Sequence, residues 1–286
     1  MAITPAPRPE SIQAQVLYGP KDLRLVSVPI TAPDAEEVQI AIKATTLCGS
    51  DLHYYTHFRN GDIRIKEPLS QGHESAGLVV AVGSEVESKY GLKVGDRVAV
   101  KAGVPCDECE VCLDGDYNVC GKMRFRSSAT AFPHYQGTLR ERFNHPAKWV
   151  HKIPDTLSYA DGALLEPLAV AVHSVRKAAA KPGATCLVIG AGAVGLLCAA
   201  VAKISGYGQV VMADIAWNRL AFALQNGFAD ETLALVPMRP GSVDEGLLFA
   251  KEDAAAMMAK NQDQKFARTF ECTGVEGCYR LQHYVR

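Results

Sequence analysis

Four cysteines lie close together in the chain, at a spacing that suits a single metal ion. They follow a C-x2-C-x2-C-x7-C pattern and are Cys106, Cys109, Cys112 and Cys120. A tight loop can point these four sulfurs at one centre, and zinc takes four thiolates in closed structural sites that leave no position for substrate. An iron–sulfur cluster uses the same ligands, but nothing else in the sequence indicates electron transfer. We therefore predict a structural zinc site, against the alternative of four unpaired surface thiols.

A second set of metal-ligating residue types is scattered along the chain. Its members are Cys48, His73, Glu74 and Glu166. Each has an ordinary interpretation alone, as a core thiol, a hydrogen-bonded core imidazole or a solvated carboxylate. Together, one thiolate, one imidazole and one carboxylate with a water form an open catalytic zinc site. Sequence spacing alone does not assemble this set.

A glycine-rich turn indicates a nucleotide site. Gly190, Gly192 and Gly195 form G-x-G-x-x-G between an apolar segment and an alanine- and leucine-rich one. The first glycine allows a tight turn, the second lets the backbone approach a pyrophosphate, and the third lets helix and strand pack closely. The motif gains weight from Asp214, which ends the next apolar segment. A carboxylate there accepts hydrogen bonds from the adenosine ribose and repels a 2′-phosphate, so we predict NAD rather than NADP.

The elements that must position these residues change in type along the chain. The first half has short β-branched segments at residues 38–44, 77–82 and 97–100, separated by Gly, Pro, Asp and Glu clusters, which predict an irregular β domain. From Lys181 onward strands and helices alternate, which indicates a parallel sheet. The predicted strands are 185–189, 209–213, 232–236 and 267–272, and the predicted helices are 193–204, 218–225 and 253–260.

The fold class expected is therefore α/β with a β-rich N-terminal domain. We predict a zinc-binding catalytic domain over residues 1–170 and a nucleotide-binding domain over residues 171–286, with a helical segment at 158–178 forming the join.

Several motifs together resemble those of zinc-dependent medium-chain dehydrogenases, particularly the fungal sorbitol, xylitol and arabinitol dehydrogenases. The motifs are Gly72-His73-Glu74, Gly95-Asp96-Arg97-Val98, the four-cysteine loop, Glu166-Pro167 and Gly190-Ala191-Gly192-Ala193-Val194-Gly195. The likeness runs from about Gln13 to Gly274. It implies a GroES-like catalytic domain that carries both zincs, a Rossmann domain that carries NAD, and hydride transfer between a polyol and NAD.

The resemblance also implies roles for individual residues around the metal. Cys48, His73 and Glu74 would hold the catalytic zinc, with Glu166 beside it as a ligand or through the bound water. A carboxylate at Glu166 follows the polyol dehydrogenase pattern, because simple alcohol dehydrogenases use a second cysteine. Whether Glu74 or Glu166 is the direct ligand stays open.

Further roles implied by the resemblance concern substrate and nucleotide. Ser50 would hydrogen-bond the alcohol and start a proton relay through the nicotinamide ribose to His53, and Tyr54 would contact a substrate hydroxyl. Val194 and Arg219 would line the nucleotide. The alternatives are a capping serine, a surface histidine, a packing tyrosine and a solvated helix cation.

Composition limits the partners. With 30 basic and 31 acidic side chains, the chain has no field that would attract nucleic acid or an anionic membrane, so we expect a small-molecule polyol as the partner. The apolar runs are too short or too interrupted to span a bilayer, and the N-terminus lacks a targeting pattern. Clustered cysteines favour a reducing compartment, so we expect a cytoplasmic protein. Relatives are commonly dimers or tetramers, which implies a homo-oligomer for the full-length family.

The sequence departs from the family toward its end. Only four strands of a six-stranded Rossmann sheet are predicted, and the likeness fades after Gly274. We therefore expect a C-terminally truncated chain with weak or no polyol-dependent NADH formation. The alternative is a catalytically impaired remnant that binds zinc and possibly nucleotide without turnover. A zinc-free quinone reductase of the same superfamily is disfavoured, because those relatives lack both cysteine-containing sets.

Overall fold

A computed structural model of the protein describes residues 10–179, 181–237 and 240–285. The chain divides into two compact units, Met1–Glu166 and Pro167–Arg286. We propose that the boundary between the catalytic and the nucleotide-binding domain follows residue 170.

The first unit is built mainly from antiparallel strands. Its strands are β1 (Glu10–Gly19), β2 (Asp22–Ile30), β3 (Glu37–Thr46), β4 (Arg59–Asn60), β5 (Ile63–Arg64), β6 (Leu69–Ser70), β7 (Glu74–Val82), β8 (Arg97–Val100), β9 (Gly103–Val104), β10 (Arg124–Phe125), β11 (Arg142–Pro146) and β12 (Val150–Lys152). Its helices are α1 (Gly49–His57), α2 (Val86–Tyr90) and α3 (Glu110–Leu113), and α4 (Tyr159–Ala178) begins in this unit and ends in the second. The predicted segments 38–44, 77–82 and 97–100 are confirmed as parts of β3, β7 and β8.

A five-stranded sheet forms the centre of this unit, in the order β11-β3-β7-β8-β12. Every pairing in it is antiparallel. Alternate side chains such as Val38, Ile40 and Val98 are fully buried in one core, as expected for strands with one face on the core. The β3–β7 register places Thr46 opposite Glu74, so the end of β3 lies beside the start of β7.

The second unit is a parallel sheet with helices. Its strands are β13 (Thr185–Ile189), β14 (Gln209–Asp214), β15 (Glu231–Ala234) and β16 (Arg268–Glu271), and its further helices are α5 (Ala193–Ile204), α6 (Trp217–Gln225), α7 (Val243–Ala259) and α8 (Glu276–Val285). The strand order β15-β14-β13-β16 corresponds to positions 3-2-1-4 of the doubly wound Rossmann order. Successive β13 residues point into separate cores, with Val188 in one and Leu187 in the other. The α/β fold class is confirmed.

Two helices of the second unit differ from the sequence prediction. Helix α7 begins at Val243 rather than at 253, because Ser242 caps it by accepting the amide of Glu245 at 3.2 Å. Helix α8 was not predicted; it is held by Leu281 and Val285, which are buried four residues apart on one face. Among the residues that the structure describes, no helix is long and apolar enough to cross a membrane.

Candidate active site

The four-cysteine loop brings its sulfurs to metal-binding separations. The Sγ–Sγ distances are 3.4 Å for Cys109–Cys112, 3.6 Å for Cys106–Cys120, and 3.9 Å for both Cys106–Cys112 and Cys109–Cys120. Tetrahedral zinc with Zn–S bonds of about 2.3 Å requires sulfurs about 3.8 Å apart. The loop geometry therefore fits a closed four-thiolate site.

Local backbone turns explain why these residues converge. Asp107 and Gly115 have left-handed φ angles of 61° and 91°, which turn the chain on either side of α3, and Cys109 is the residue immediately before that helix. The backbone amide of Glu108 lowers the pKa of Cys106 to about 6, whereas desolvation and the contact with Cys109 raise the pKa of Cys112 to about 12. Four thiolates at this spacing repel one another, so a cation is needed for all of them to ionise.

The second set also comes together. The ligand atoms of Cys48, His73 and Glu74 all lie within 4.8 Å of one another. Cys48 follows β3, while His73 immediately precedes β7 and Glu74 begins it, so the β3–β7 pairing brings them together. The Thr46 hydroxyl, opposite Glu74, donates a hydrogen bond to its carboxylate.

Asp51 organises this cluster, although sequence reasoning gave it no role. Its buried carboxylate accepts the amide of Cys48 at 3.1 Å and the amide of Gly72 at 3.0 Å, and it lies 3.8 Å from the His73 ring. It therefore ties together the segments that carry two of the proposed ligands. The sequence does carry a signal for this role, since Asp51 stands three residues after Cys48, in a capping-box position at the start of α1.

Electrostatics in the cluster favour a cation. A hydrogen bond with His73 lowers the pKa of the Cys48 thiol. Burial lowers the pKa of His73, but the contact with Cys48 and the charge of Asp51 outweigh it and leave that pKa raised. Desolvation raises the pKa of Glu166, which also feels the charges of His73 and Glu74. Glu166 is thus near the cluster but outside the set within 4.8 Å, which favours Glu74 as the direct ligand.

Helix α1 carries the three residues expected to act on substrate. Ser50 is half-buried and hydrogen-bonds Cys48, and His53 is exposed with its ring 6.2 Å from that of His57. Tyr54 is 3% exposed within a core cluster, and its hydroxyl accepts the Ala129 amide at 3.2 Å. This placement favours a packing role for Tyr54, and its contact with substrate stays a prediction.

The glycine-rich turn borders a cavity of about 880 Å³ in the second unit. Gly190 has φ +103°, and a Cβ on Gly195 would lie 1.8 Å from the Gly190 carbonyl oxygen, so the predicted turn and packing roles are confirmed. A Cβ on Gly192 would meet no atom within 4 Å, which leaves room for a ligand to approach the backbone.

Two of the other three residues predicted to bind the nucleotide line this cavity. Asp214 and Arg219 line it, whereas Val194 lies outside its lining. The Asp214 carboxylate accepts the amides of Ala191 at 2.6 Å and Ala216 at 2.7 Å. It therefore ties the glycine-rich turn to the end of β14.

Comparison with known proteins identifies the family. Residues 34–155 match the alcohol dehydrogenase GroES-like domain. A probable D-xylulose reductase A of Neosartorya fischeri is 43% identical over 239 residues, which cover 83% of this chain and 64% of that protein. The crystal structure of an Escherichia coli oxidoreductase of unknown specificity superposes with a TM-score of 0.83 at 30% identity, covering 96% of this chain and 74% of that one. The chain belongs to the zinc-dependent, NAD(P)-binding medium-chain dehydrogenase family.

The chain is also similar to the structure of L-idonate 5-dehydrogenase from Escherichia coli, with a TM-score of 0.80 at 26% identity over 96% of this chain and 73% of that one. The family predicted from the sequence motifs is thus confirmed. The chain spans 64% of the length of the Neosartorya relative.

Proposed function

We propose that this protein transfers a hydride between a secondary hydroxyl of a polyol and NAD. The observation that carries the proposal is the convergence of Cys48, His73 and Glu74 within 4.8 Å, because one thiolate, one imidazole and one carboxylate form an open, catalytic zinc site rather than a closed one. The names of the relatives, a D-xylulose reductase and an L-idonate dehydrogenase, support a polyhydroxylated substrate.

The residues of the cluster fit a catalytic zinc. Cys48, His73 and Glu74 would be the protein ligands, and Glu166 would act beside them through a water or as a further ligand. Zinc bound there supplies Lewis acidity that lowers the pKa of a substrate hydroxyl. Ser50 would hydrogen-bond that hydroxyl, and the exposed His53 would release its proton to solvent. General base assistance of this kind contributes about 10²- to 10⁴-fold to a rate.

The second unit would hold the NAD. The open backbone at Gly192 would face the pyrophosphate, and Asp214 would accept hydrogen bonds from the adenosine ribose. Arg219 borders the same cavity, and Val194 would contact the nucleotide near the turn. The nine cysteines form no disulfide, which supports a reducing cytoplasmic location. We propose a homo-oligomer on the family likeness.

Zinc analysis combined with a turnover assay tests the proposal. Protein purified without chelator should hold two zinc ions, and whatever NADH it forms should depend on xylitol or sorbitol and not on ethanol. His73→Ala should abolish that NADH formation. Polyol oxidation that persists in His73→Ala, or a wild-type chain that binds neither zinc nor NADH, would contradict the proposed function.

A further inference from the structure

The imidazole of His73 is held by a serine. Its Nδ1 lies 2.8 Å from the Ser127 hydroxyl oxygen and 3.8 Å from the nearer carboxylate oxygen of Asp51, which is beyond hydrogen-bond distance. Both His73 and Ser127 are buried. Water is therefore a poor competitor for this contact, and the serine hydroxyl is the hydrogen-bond partner of Nδ1.

Ser127 makes this contact from an uncommon backbone conformation. Its φ angle is +60°, a left-handed value that residues with a Cβ rarely adopt. The Ser127 amide donates to the Tyr135 carbonyl at 2.9 Å, and the Ser128 amide donates to the Phe125 carbonyl at 3.1 Å. A strained residue held by its surroundings beside a candidate metal ligand indicates a functional constraint on that residue.

Arg126, the residue before Ser127, holds the turn that carries Ser127 in place. The Arg126 guanidinium is buried and donates to the Gln136 carbonyl at 2.9 Å, to the Tyr135 hydroxyl at 3.0 Å and to His145 Nδ1 at 2.9 Å. The bonds to Tyr135 and Gln136 join the residue before Ser127 to the end of the segment that follows it. The hydroxyl of Ser127 is thus presented to His73 by a rigid support.

We propose that Ser127 is a positioning residue for the metal ligand His73, an inference that rests on the proposed function of the Cys48, His73 and Glu74 cluster. Its oxygen accepts the Nδ1 proton, which fixes the tautomer in which Nε2 is unprotonated and free to bind the metal. A partner on the second ring nitrogen orients a ligating histidine and raises its basicity. In this protein a hydroxyl performs that task.

Two substitutions at one position separate positioning from backbone support. Ser127→Ala removes the hydroxyl and keeps the Cβ, whereas Ser127→Gly removes the hydroxyl and relieves the left-handed φ. Ser128→Ala is the matched control, because the Ser128 hydroxyl hydrogen-bonds Thr130 instead of His73. Zinc affinity of the second site is measured by chelator competition, Co²⁺ substitution gives its absorption spectrum, and thermal unfolding reports stability.

Both Ser127 variants should lose about 10- to 100-fold in affinity for the second metal and shift its Co²⁺ spectrum, while the four-cysteine site stays loaded. Ser127→Gly should be at least as thermostable as Ser127→Ala, and Ser128→Ala should bind as wild type. Two tightly bound zincs in both Ser127 variants would overturn this inference alone, as would affinity restored in Ser127→Gly. A wild-type chain that binds only the four-cysteine zinc would overturn the proposed function and this inference with it.

Discussion

The two candidate metal centres are assembled in opposite ways. The four-cysteine site is drawn from one continuous loop, and its convergence depends on local turns at Asp107 and Gly115. The Cys48, His73 and Glu74 site is drawn from two strand ends that meet through the β3–β7 pairing. A local site can form as soon as its loop closes, whereas a site made by strand pairing exists only when the sheet is formed.

The difference extends to how each centre supports the fold. In the loop, four Sγ–Sγ pairs lie 3.4–3.9 Å apart, and Cys106, Cys109 and Cys112 are only half-buried. In the second cluster, which is formed by Cys48, His73 and Glu74, hydrogen bonds hold the ligands in place. Their partners are Asp51, Thr46 and Ser127. We therefore expect metal to be needed for the loop to fold, whereas at the second cluster it should bind a site that the fold has already formed.

The largest expected effect is on the loop. Cys106→Ser should lose one zinc and lower the free energy of unfolding by several kcal/mol, which is less than the about 10–16 kcal/mol that zinc binding contributes in zinc-finger peptides. Zinc content and thermal unfolding are measured, with Cys278→Ser as a control that removes a thiol far from the loop in sequence. A Cys106→Ser protein as stable as the control would show that the loop folds without its metal.

A smaller loss of stability is expected at the second cluster. His73→Ala should also lose one zinc, but should destabilise by about 1–3 kcal/mol, the cost of a truncated buried side chain and an unpaired Ser127 hydroxyl. Equilibrium denaturation and metal analysis check this. Destabilisation equal to that of Cys106→Ser would show that both zinc ions contribute equally to the free energy of unfolding.

The support of the second cluster can be weakened without touching a proposed ligand. Asp51→Asn keeps the shape of the side chain but replaces one acceptor oxygen of the carboxylate with a donor, so it cannot accept both the Cys48 and the Gly72 amides. We expect about 1–2 kcal/mol of destabilisation and weaker binding of the second zinc with the loop zinc retained. The neighbouring Leu52→Ala, at an exposed position, serves as the control, and loss of loop zinc in Asp51→Asn would contradict the independence of the two centres.

This contrast also explains how much the sequence could predict. The cysteine loop was visible from spacing alone, because its ligands are neighbours in the chain. The second cluster needed a family resemblance, since no spacing rule links residue 48 to residue 73 when the link is a sheet register. Ser127 was missed for the same reason. It contacts His73 through a turn whose left-handed residue is a serine, where sequence rules expect glycine or asparagine.

The fold followed a similar rule. Strand β13 and helix α5 were predicted with their observed bounds, because apolar runs bounded by glycines are local signals. Helix α7 was predicted too short, because its start depends on the Ser242 cap, which the sequence analysis did not recognise. Helix α8 was missed because Leu281 and Val285 become buried only against the sheet and α7.

The smallest expected effect concerns the nucleotide cavity, where Asp214 combines local and long-range roles. Its position at the end of β14 is a local signal, but its carboxylate also accepts the Ala191 and Ala216 amides. Wild type should bind NAD more tightly than NADP, because the carboxylate charge opposes a 2′-phosphate. Asp214→Ser should narrow the ratio of NAD to NADP affinity by about 10-fold, equivalent to about 1.4 kcal/mol. It should also lower thermal stability by removing the acceptor that the two amides share.

Asp214→Asn keeps an acceptor oxygen and removes the charge, so it should narrow the affinity ratio with less loss of stability. Equilibrium titration of both nucleotides against the three proteins separates charge from support. Equal affinities of wild type for NAD and NADP would show that Asp214 serves the turn alone.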